Sequence, residues 1–182
     1  MIVKKYSTPS ERGKLYDRLL RFMAEIYVST AGKYPAMEWL PPWEKPDPNA
    51  PNFFEEFSKK YGSFLKWRLT QELDEVYLVF IDDELVGVVG LNYDLEGKTI
   101  PWIPEELTKR KDVGFIELFA VHPKHRGKGI RTTLFRMAID RLKELGKKPH
   151  VVTFPDLEAV KFYEKMSGRI IMKFDKFLIY IF

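Results

Sequence analysis

Residues 119–131, FAVHPKHRGKGIR, decide the fold, because an apolar segment runs into a basic, glycine-bearing loop that opens a long helical pattern. Backbone N–H groups at a helix N-terminus have no partner inside the helix, and with the positive end of the helix dipole they attract anions. Gly127 and Gly129 leave room for a ligand to approach the backbone. Arg126, Lys128 and Arg131 add formal positive charge around these glycines. The stretch therefore predicts a phosphate-binding site at the start of a helix.

The rest of the chain predicts one α/β domain, since 182 residues are enough to bury a core without disulfides or metals. Apolar runs between turn residues predict strands over 1–6, 76–81, 85–91, 115–121 and 150–154, with one or two more in 170–182. Capping residues and helical periodicity predict helices that begin at 8–11, 52–55, 130 and 155–156, and a short helical turn at 104–106. The first helix should bury Leu15, Leu19, Phe22, Met23 and Ile26, and the helix that Gly146 ends should bury Ile130, Leu134, Met137, Ala138, Leu142 and Leu145.

Residues 31–51 form a proline-rich segment, whose prolines exclude a regular element. No helix or strand period relates its aromatic residues Tyr34, Trp39 and Trp43. Two interpretations stay open: these rings cover a substrate, or they plug the side of the core.

Composition and charge exclude several classes of protein. The absence of Cys excludes disulfides and thiolate chemistry and agrees with a reducing compartment. Nothing near Met1 resembles a signal peptide and no apolar run approaches the ~20 residues of a membrane span, so we expect a soluble, cytoplasmic protein without a membrane partner. The 30 basic and 26 acidic residues give a net charge of +4 but are mixed along the chain, which argues against nucleic-acid binding. The oligomeric state stays open.

Two motifs resemble those of the GNAT superfamily of N-acetyltransferases. The spacing Arg126-x-x-Gly129, after a strand that ends in Ala120-Val121-x-Pro123, resembles the family's pyrophosphate loop. The segment 159–165, AVKFYEK, is similar to the family's A-x-x-F-Y-E-K helix, which lies beside the pantetheine arm of CoA. The predicted order of helices and strands also follows this fold. The resemblance implies a single GNAT-like domain over 1–182, with a mixed central sheet flanked by helices and acetyl-CoA as cosubstrate.

The resemblance also implies a cofactor site, in which a backbone N–H from the strand at 119–121 polarises the thioester carbonyl where the sheet splays open. The implied cofactor-binding residues are Phe119, Ala120, Val121, Arg126, Gly127, Lys128, Gly129, Ile130, Arg131, Asp156 and Phe162. Two of them depart from the family pattern. Arg131 stands where the family has Gly or Ala, and it either crowds the pyrophosphate or adds a phosphate contact. Asp156 replaces the usual Asn, and it can cap the helix but cannot donate a hydrogen bond as an amide can.

The catalytic candidates are an acid and a base. Tyr163 occupies the place of the family's tyrosine near the CoA sulfur and is our candidate acid, with a plain core tyrosine as the alternative. Glu117 lies on the strand that ends at the loop and is our candidate base, acting directly or through water; the alternative is a surface residue on the outer face of the strand. His122 and His125 are further possible bases, which we expect at the surface or near phosphate. They lack the partners of a zinc site, so no metal is expected.

These features favour an acetyl-CoA-dependent N-acetyltransferase that acts on a primary amine of a small molecule or peptide by direct attack. The alternative is a GNAT-like module that binds CoA without efficient transfer, which Arg131 and Asp156 favour. The resemblance implies an acceptor cleft between 27–64 and 176–182. Both segments are rich in aromatic residues, which suits an apolar or aromatic amine, a peptide N-terminus, or no ligand at all.

Overall fold

One mixed seven-stranded sheet organises the chain in this computed structural model, in the order β1-β2-β3-β4-β5-β7-β6. The structure describes the backbone of residues 1–182 and the side chains of 1–156 and 158–182. The strands are β1 (Ile2–Tyr6), β2 (Glu75–Ile81), β3 (Glu84–Asn92), β4 (Val113–Val121), β5 (Lys148–Thr153), β6 (Arg169–Phe174) and β7 (Phe177–Ile181). Neighbouring strands pair antiparallel except β4 and β5, which run parallel. The segment 170–182 therefore forms a hairpin of two strands.

Six α-helices cover the sheet, and these are α1 (Pro9–Gly13), α2 (Tyr16–Ser29), α3 (Phe53–Trp67), α4 (Glu105–Thr108), α5 (Ile130–Glu144) and α6 (Leu157–Lys165). A π-helical turn, Arg68–Glu72, extends α3. Helices α2 and α3 contribute to the core on one face of the sheet, and α5 and α6 contribute to the core on the other. The first helix should bury five apolar residues, and all five are buried. Of the six expected on α5, Met137 and Leu145 are only half-buried.

The first predicted helix is divided in the structure, because the α-helical hydrogen-bond pattern is interrupted at Lys14 and Leu15, where the Leu15 N–H donates to Arg12 O. Thr8 and Glu11 form the predicted capping box. Arg12 is buried, and its guanidinium donates to the carbonyl oxygens of Ser7, Leu69 and Asp74. These contacts fix α1 against the π-helical turn, and Gly13 weakens the helix at the same point.

Three smaller expectations can be checked against the structure. Helix α3 begins where predicted, although the side chain of Asn52 makes no capping hydrogen bond. The proline-rich segment is irregular except for a 3₁₀ turn at Pro42–Glu44, which the prolines were expected to exclude. Across the described part of the chain, no helix combines the length and apolar character that crossing a membrane requires.

The sheet opens between β4 and β5. These strands pair only from Val113 opposite Lys148 to Phe115 opposite His150. Beyond this point β4 stays paired with β3 but bulges, where Leu118 has a φ of +49° and the register shifts opposite Val88–Gly90. The second half of β4 therefore presents one unpaired edge to a gap, and the loop before α5 lies at the end of that gap.

Candidate active site

The loop between β4 and α5 has the shape of an anion site. Gly127 and Gly129 have φ values of +77° and +75°, a left-handed conformation that glycine adopts without strain. A Cβ atom added at either position would meet nothing within 4 Å, so both glycines border open space. Gly129 is the N-cap of α5, and no described side chain caps the N–H groups of the first turn. This geometry fits the phosphate site that the sequence predicts.

Two arginines flank the loop and share one carboxylate. Arg126 Nη1 lies 3.8 Å from Glu158 Oε1, and Arg131 Nη1 lies 3.7 Å from the same oxygen. The Arg131 guanidinium also stacks on Phe162, 3.9 Å from the ring centre. Desolvation lowers the pKa of Arg131, although an arginine stays charged under such conditions. Both cations therefore lie between the first turns of α5 and α6, beside the uncapped N–H groups.

The open edge of β4 can supply a backbone donor. His122 N–H donates to Val86 O at 2.9 Å, which fixes the His122 N–H on the β3 side of the strand. Because successive N–H groups alternate, Ala120 faces β3 as well and the Val121 N–H faces the gap. The Phe119 ring packs against Phe162 with a centroid distance of 5.9 Å, so it borders the same gap.

Helix α6 forms the other wall. Asp156 caps it as expected, since Oδ1 accepts from the N–H groups of Glu158 and Ala159 at 3.0 and 3.1 Å. Tyr163 is buried, with its ring 5.6 Å from Phe135 and 5.3 Å from Tyr180. This desolvation raises the pKa of Tyr163 well above its usual value, so the phenol keeps its proton at neutral pH.

Glu117 is buried beneath the gap, with 8% of its surface exposed. Its Oε2 accepts from Arg68 Nη2 at 2.7 Å, and its Oε1 accepts from Trp102 Nε1 at 2.9 Å. The alternative of a surface glutamate on the outer face of the strand is therefore wrong. Burial first and the nearby Glu72 carboxylate second raise the pKa of Glu117 to about 7, against the opposing effect of Arg68.

The sequence did not identify the two hydrogen-bond partners of Glu117, which are Arg68 and Trp102, or the nearby Glu72 carboxylate. Arg68 and Glu72 lie in the π-helical turn, and Glu72 is fully buried. Desolvation raises the pKa of Tyr34 in the proline-rich segment, Arg68 lowers it, and Glu117 adds to the rise. The available signal in the sequence was an Arg and a Glu four residues apart in the segment RLTQE, a spacing that exposed helices also use for ion pairs.

Comparison with known proteins identifies the family. A model of the acetyltransferase (GNAT) family matches residues 35–168. The chain belongs to the GNAT family. A Pyrococcus horikoshii protein assigned as an acetyltransferase is 46% identical, with 98% of this chain and 94% of that chain aligned and a TM-score of 0.76. The PaiA N-acetyltransferase of Thermoplasma acidophilum, solved with coenzyme A, shares the fold at 14% identity and a TM-score of 0.60, over 100% of this chain and 98% of that chain. No curated protein matches the chain.

The predicted GNAT fold is thus confirmed, and the residues present fit the CoA that this family implies. The GNAT loop offers uncapped N–H groups, two glycines with open space beside them and two arginines. The splayed β4 edge offers the Val121 N–H. Within the described residues, no group of three His, Cys, Asp or Glu side chains is arranged to hold a metal ion.

His122 and His125 of this GNAT site were expected at the surface or near phosphate, and the structure corrects the first of these two positions. Both side chains are buried, so neither lies at the surface. His122 Nδ1 accepts from the Lys124 N–H at 3.3 Å, and its Nε2 lies 3.3 Å from Glu25, because the loop folds back over α2. Burial also lowers the pKa of His122.

The aromatic residues of the proline-rich segment were expected either to cover a substrate or to plug the side of the core, and they differ in their burial. Trp43 is 83% exposed, so it does not plug the core. Trp39 packs on Phe64 with a centroid distance of 4.8 Å and is about half exposed, and Tyr34 is partly buried against the core that α2 and α3 contribute to. The segment therefore packs against α3 through some of its aromatic residues and leaves Trp43 at the surface.

Proposed function

We propose that this GNAT protein transfers the acetyl group of acetyl-CoA to a primary amine by direct attack. The observation that carries this proposal is the position of Glu117, a buried carboxylate with a raised pKa beneath an open strand edge. Burying a carboxylate for packing alone costs folding free energy. A general base that exchanges a proton near neutral pH, however, needs buried surroundings that raise its pKa.

The loop and the strand edge would hold the cosubstrate. The first-turn N–H groups of α5, with Arg126 and Arg131, suit the two charges of a pyrophosphate. The Val121 N–H is placed to donate to a carbonyl oxygen in the gap, where negative charge develops during acyl transfer. Fixing both reactants in the gap would lower the entropic part of the barrier.

Glu117 and Tyr163 would move the protons. Glu117 would accept a proton from the ammonium group of the acceptor, directly or through water, so that the free amine attacks. Tyr163 keeps its proton at neutral pH and would donate it to the departing thiolate.

A module that binds CoA without transfer is the second candidate. The observation that favours it is Arg131, whose guanidinium already stacks on Phe162 and pairs with Glu158 at the head of α5. A side chain held there narrows the approach to the pyrophosphate loop.

The test combines CoA affinity with turnover. Isothermal titration gives the affinity for CoA, and free-thiol release from acetyl-CoA gives turnover with a panel of primary amines and peptides. The transferase proposal expects amine-dependent thiol release that Glu117→Gln reduces without weakening CoA binding. CoA binding without release for any amine would favour the binding module instead.

A further inference from the structure

Three buried ionic residues form one cluster beneath the acceptor side of the cleft. Arg68 Nε donates to Glu72 Oε1 at 2.5 Å, and Arg68 Nη2 donates to Glu72 Oε2 at 3.1 Å. The same Nη2 donates to Glu117 Oε2 at 2.7 Å. Arg68, Glu72 and Glu117 are 9%, 0% and 8% exposed. One guanidinium nitrogen therefore serves two carboxylates that water barely reaches.

The π-helical turn creates this sharing. Leu73 N–H donates to Arg68 O at 2.9 Å, so the last turn is one residue wider than in an α-helix. Glu72 then pairs with Nε and Nη2 of the guanidinium, and the same Nη2 also reaches Glu117 on β4. π-Helical turns are frequent at functional sites, and here the turn brings two residues of one helix end to the candidate base.

The charges around Glu117 do not balance. The titratable groups near it are Arg68 and Glu72 from the π-helical turn, Tyr34 from the proline-rich segment and Tyr163 from α6. Tyr61 from α3 lies near Arg68 and Glu72, and Trp102 adds a neutral donor to Glu117. The three tyrosines are neutral near neutral pH, since burial raises the pKa of each. Two carboxylates thus face one cation, and ionising both leaves an uncompensated buried charge.

We infer that Arg68 and Glu72 are positioning residues for Glu117: the shared guanidinium holds the Glu117 carboxyl in the cleft, and Glu72 competes with Glu117 for that guanidinium. Glu72 takes two hydrogen bonds from Arg68, whereas Glu117 takes one from Arg68 and one from Trp102. Burial first and the Glu72 carboxylate second raise the pKa of Glu117, so Glu117 holds a proton near neutral pH. The kinetic consequence, that the π-helical turn sets the pH at which the acceptor is activated, rests on the proposed role of Glu117 as base.

The decisive variant is Glu72→Gln, which removes one carboxylate and leaves Arg68 paired with Glu117 alone. We expect the pKa of Glu117 to fall by at least one pH unit in this variant, because the repelling charge is gone. At pH 6 about one-tenth of a base with a pKa of 7 is ionised, and about half of a base with a pKa of 6. Relative to its own plateau at high pH, kcat/KM of Glu72→Gln at pH 6 should therefore be about fivefold higher than that of the wild type. If Glu72 had a merely structural role, Glu72→Gln would lower kcat/KM at every pH and would not shift the midpoint of its pH profile.

The matched control is Glu75→Gln. Glu75 is equally buried and accepts from Arg141 Nη2 at 2.7 Å, but it lies on the α5 side of the sheet. We expect this variant to lose stability without any shift of the pH profile.

Infrared spectroscopy of the protonated carboxyl band tests the cluster without an acceptor. The wild-type protein should show a buried carboxylic acid at about pH 6 that disappears by about pH 8 and is absent in Glu117→Gln. This measurement needs no foldable Glu72 variant. An unchanged Glu117 titration in Glu72→Gln, or no such band in the wild type, would overturn the inference. A shifted titration without a shifted rate profile would instead uphold the cluster and reject Glu117 as the base.

Discussion

Replacing Glu117 by Gln should remove the pH dependence of stability that this carboxyl imposes, and this expectation needs no substrate. Burial raises the pKa of Glu117 to about 7 in the folded protein, from an ordinary value of 4.5. The folded state therefore binds more protons than the unfolded state between these values, and the unfolding free energy of the wild type should fall as pH rises through this window. At 1.36 kcal/mol per pH unit, the fall attributable to Glu117 is about 3 kcal/mol.

The assay is urea unfolding of the wild type and Glu117→Gln at intervals from about pH 4.5 to 8. The difference between the two unfolding free energies should change steadily by about 3 kcal/mol across this range, in favour of the variant at high pH. Glu75→Gln is the control in this assay. Burial raises the pKa of Glu75, but the hydrogen bonds from Arg141 and Tyr77 overcome this effect and lower the pKa to about 2. The stability that Glu75 contributes is complete above pH 4.5 and is lost in acid, so that variant should run parallel to the wild type in the same window. Parallel curves for the wild type and Glu117→Gln would refute the reasoning.

Three other changes test the cofactor site and the acid. Gly129→Val should block the approach of CoA to the backbone, and Arg126→Ala should remove a charge-assisted contact worth ~1.5–3 kcal/mol. Titration calorimetry should therefore show weaker CoA binding in both variants, and unchanged affinities would show that the phosphates bind at another site. Arg131→Gly should also weaken CoA binding, in a salt-dependent way, whereas tighter binding would show that the side chain crowds the pyrophosphate. Tyr163→Phe should lower kcat by ~10²–10⁴-fold with little change in KM for acetyl-CoA, and a parent rate at every pH would make Tyr163 a core residue.

The conformation of the loop before α5 was predictable because its signals are local. The glycines, the cations and the helix start all lie within residues 119–131, and their conformations follow from the chain itself. The capping box at Thr8–Glu11 and the Asp156 cap were predictable for the same reason. The interruption between α1 and α2 was not, since it depends on carbonyl groups near residues 69 and 74 that the fold brings to Arg12.

The surroundings of Glu117 depend on contacts between distant parts of the chain. Arg68 and Glu117 are 49 residues apart, and Trp102 reaches the same carboxyl from a third segment. The sequence around Glu117 contains no pattern that shows that distant segments of the chain will bury this carboxyl. The burial of His122 and His125 was not predicted for a similar reason, because it depends on the packing of the loop over α2 and the β2–β3 turn.

The central claim is that this GNAT protein transfers acetyl groups with Glu117 as the base. The pH dependence of amine-dependent thiol release, measured for the wild type and Glu117→Gln at saturating acetyl-CoA, tests it in one experiment. The expected result is a wild-type rate that rises through a pKa of about 7 to a plateau, and a variant that is slower and lacks this rise. A variant with the same profile and rate as the wild type, or a wild type that binds CoA but releases no thiol with any amine, would contradict the claim.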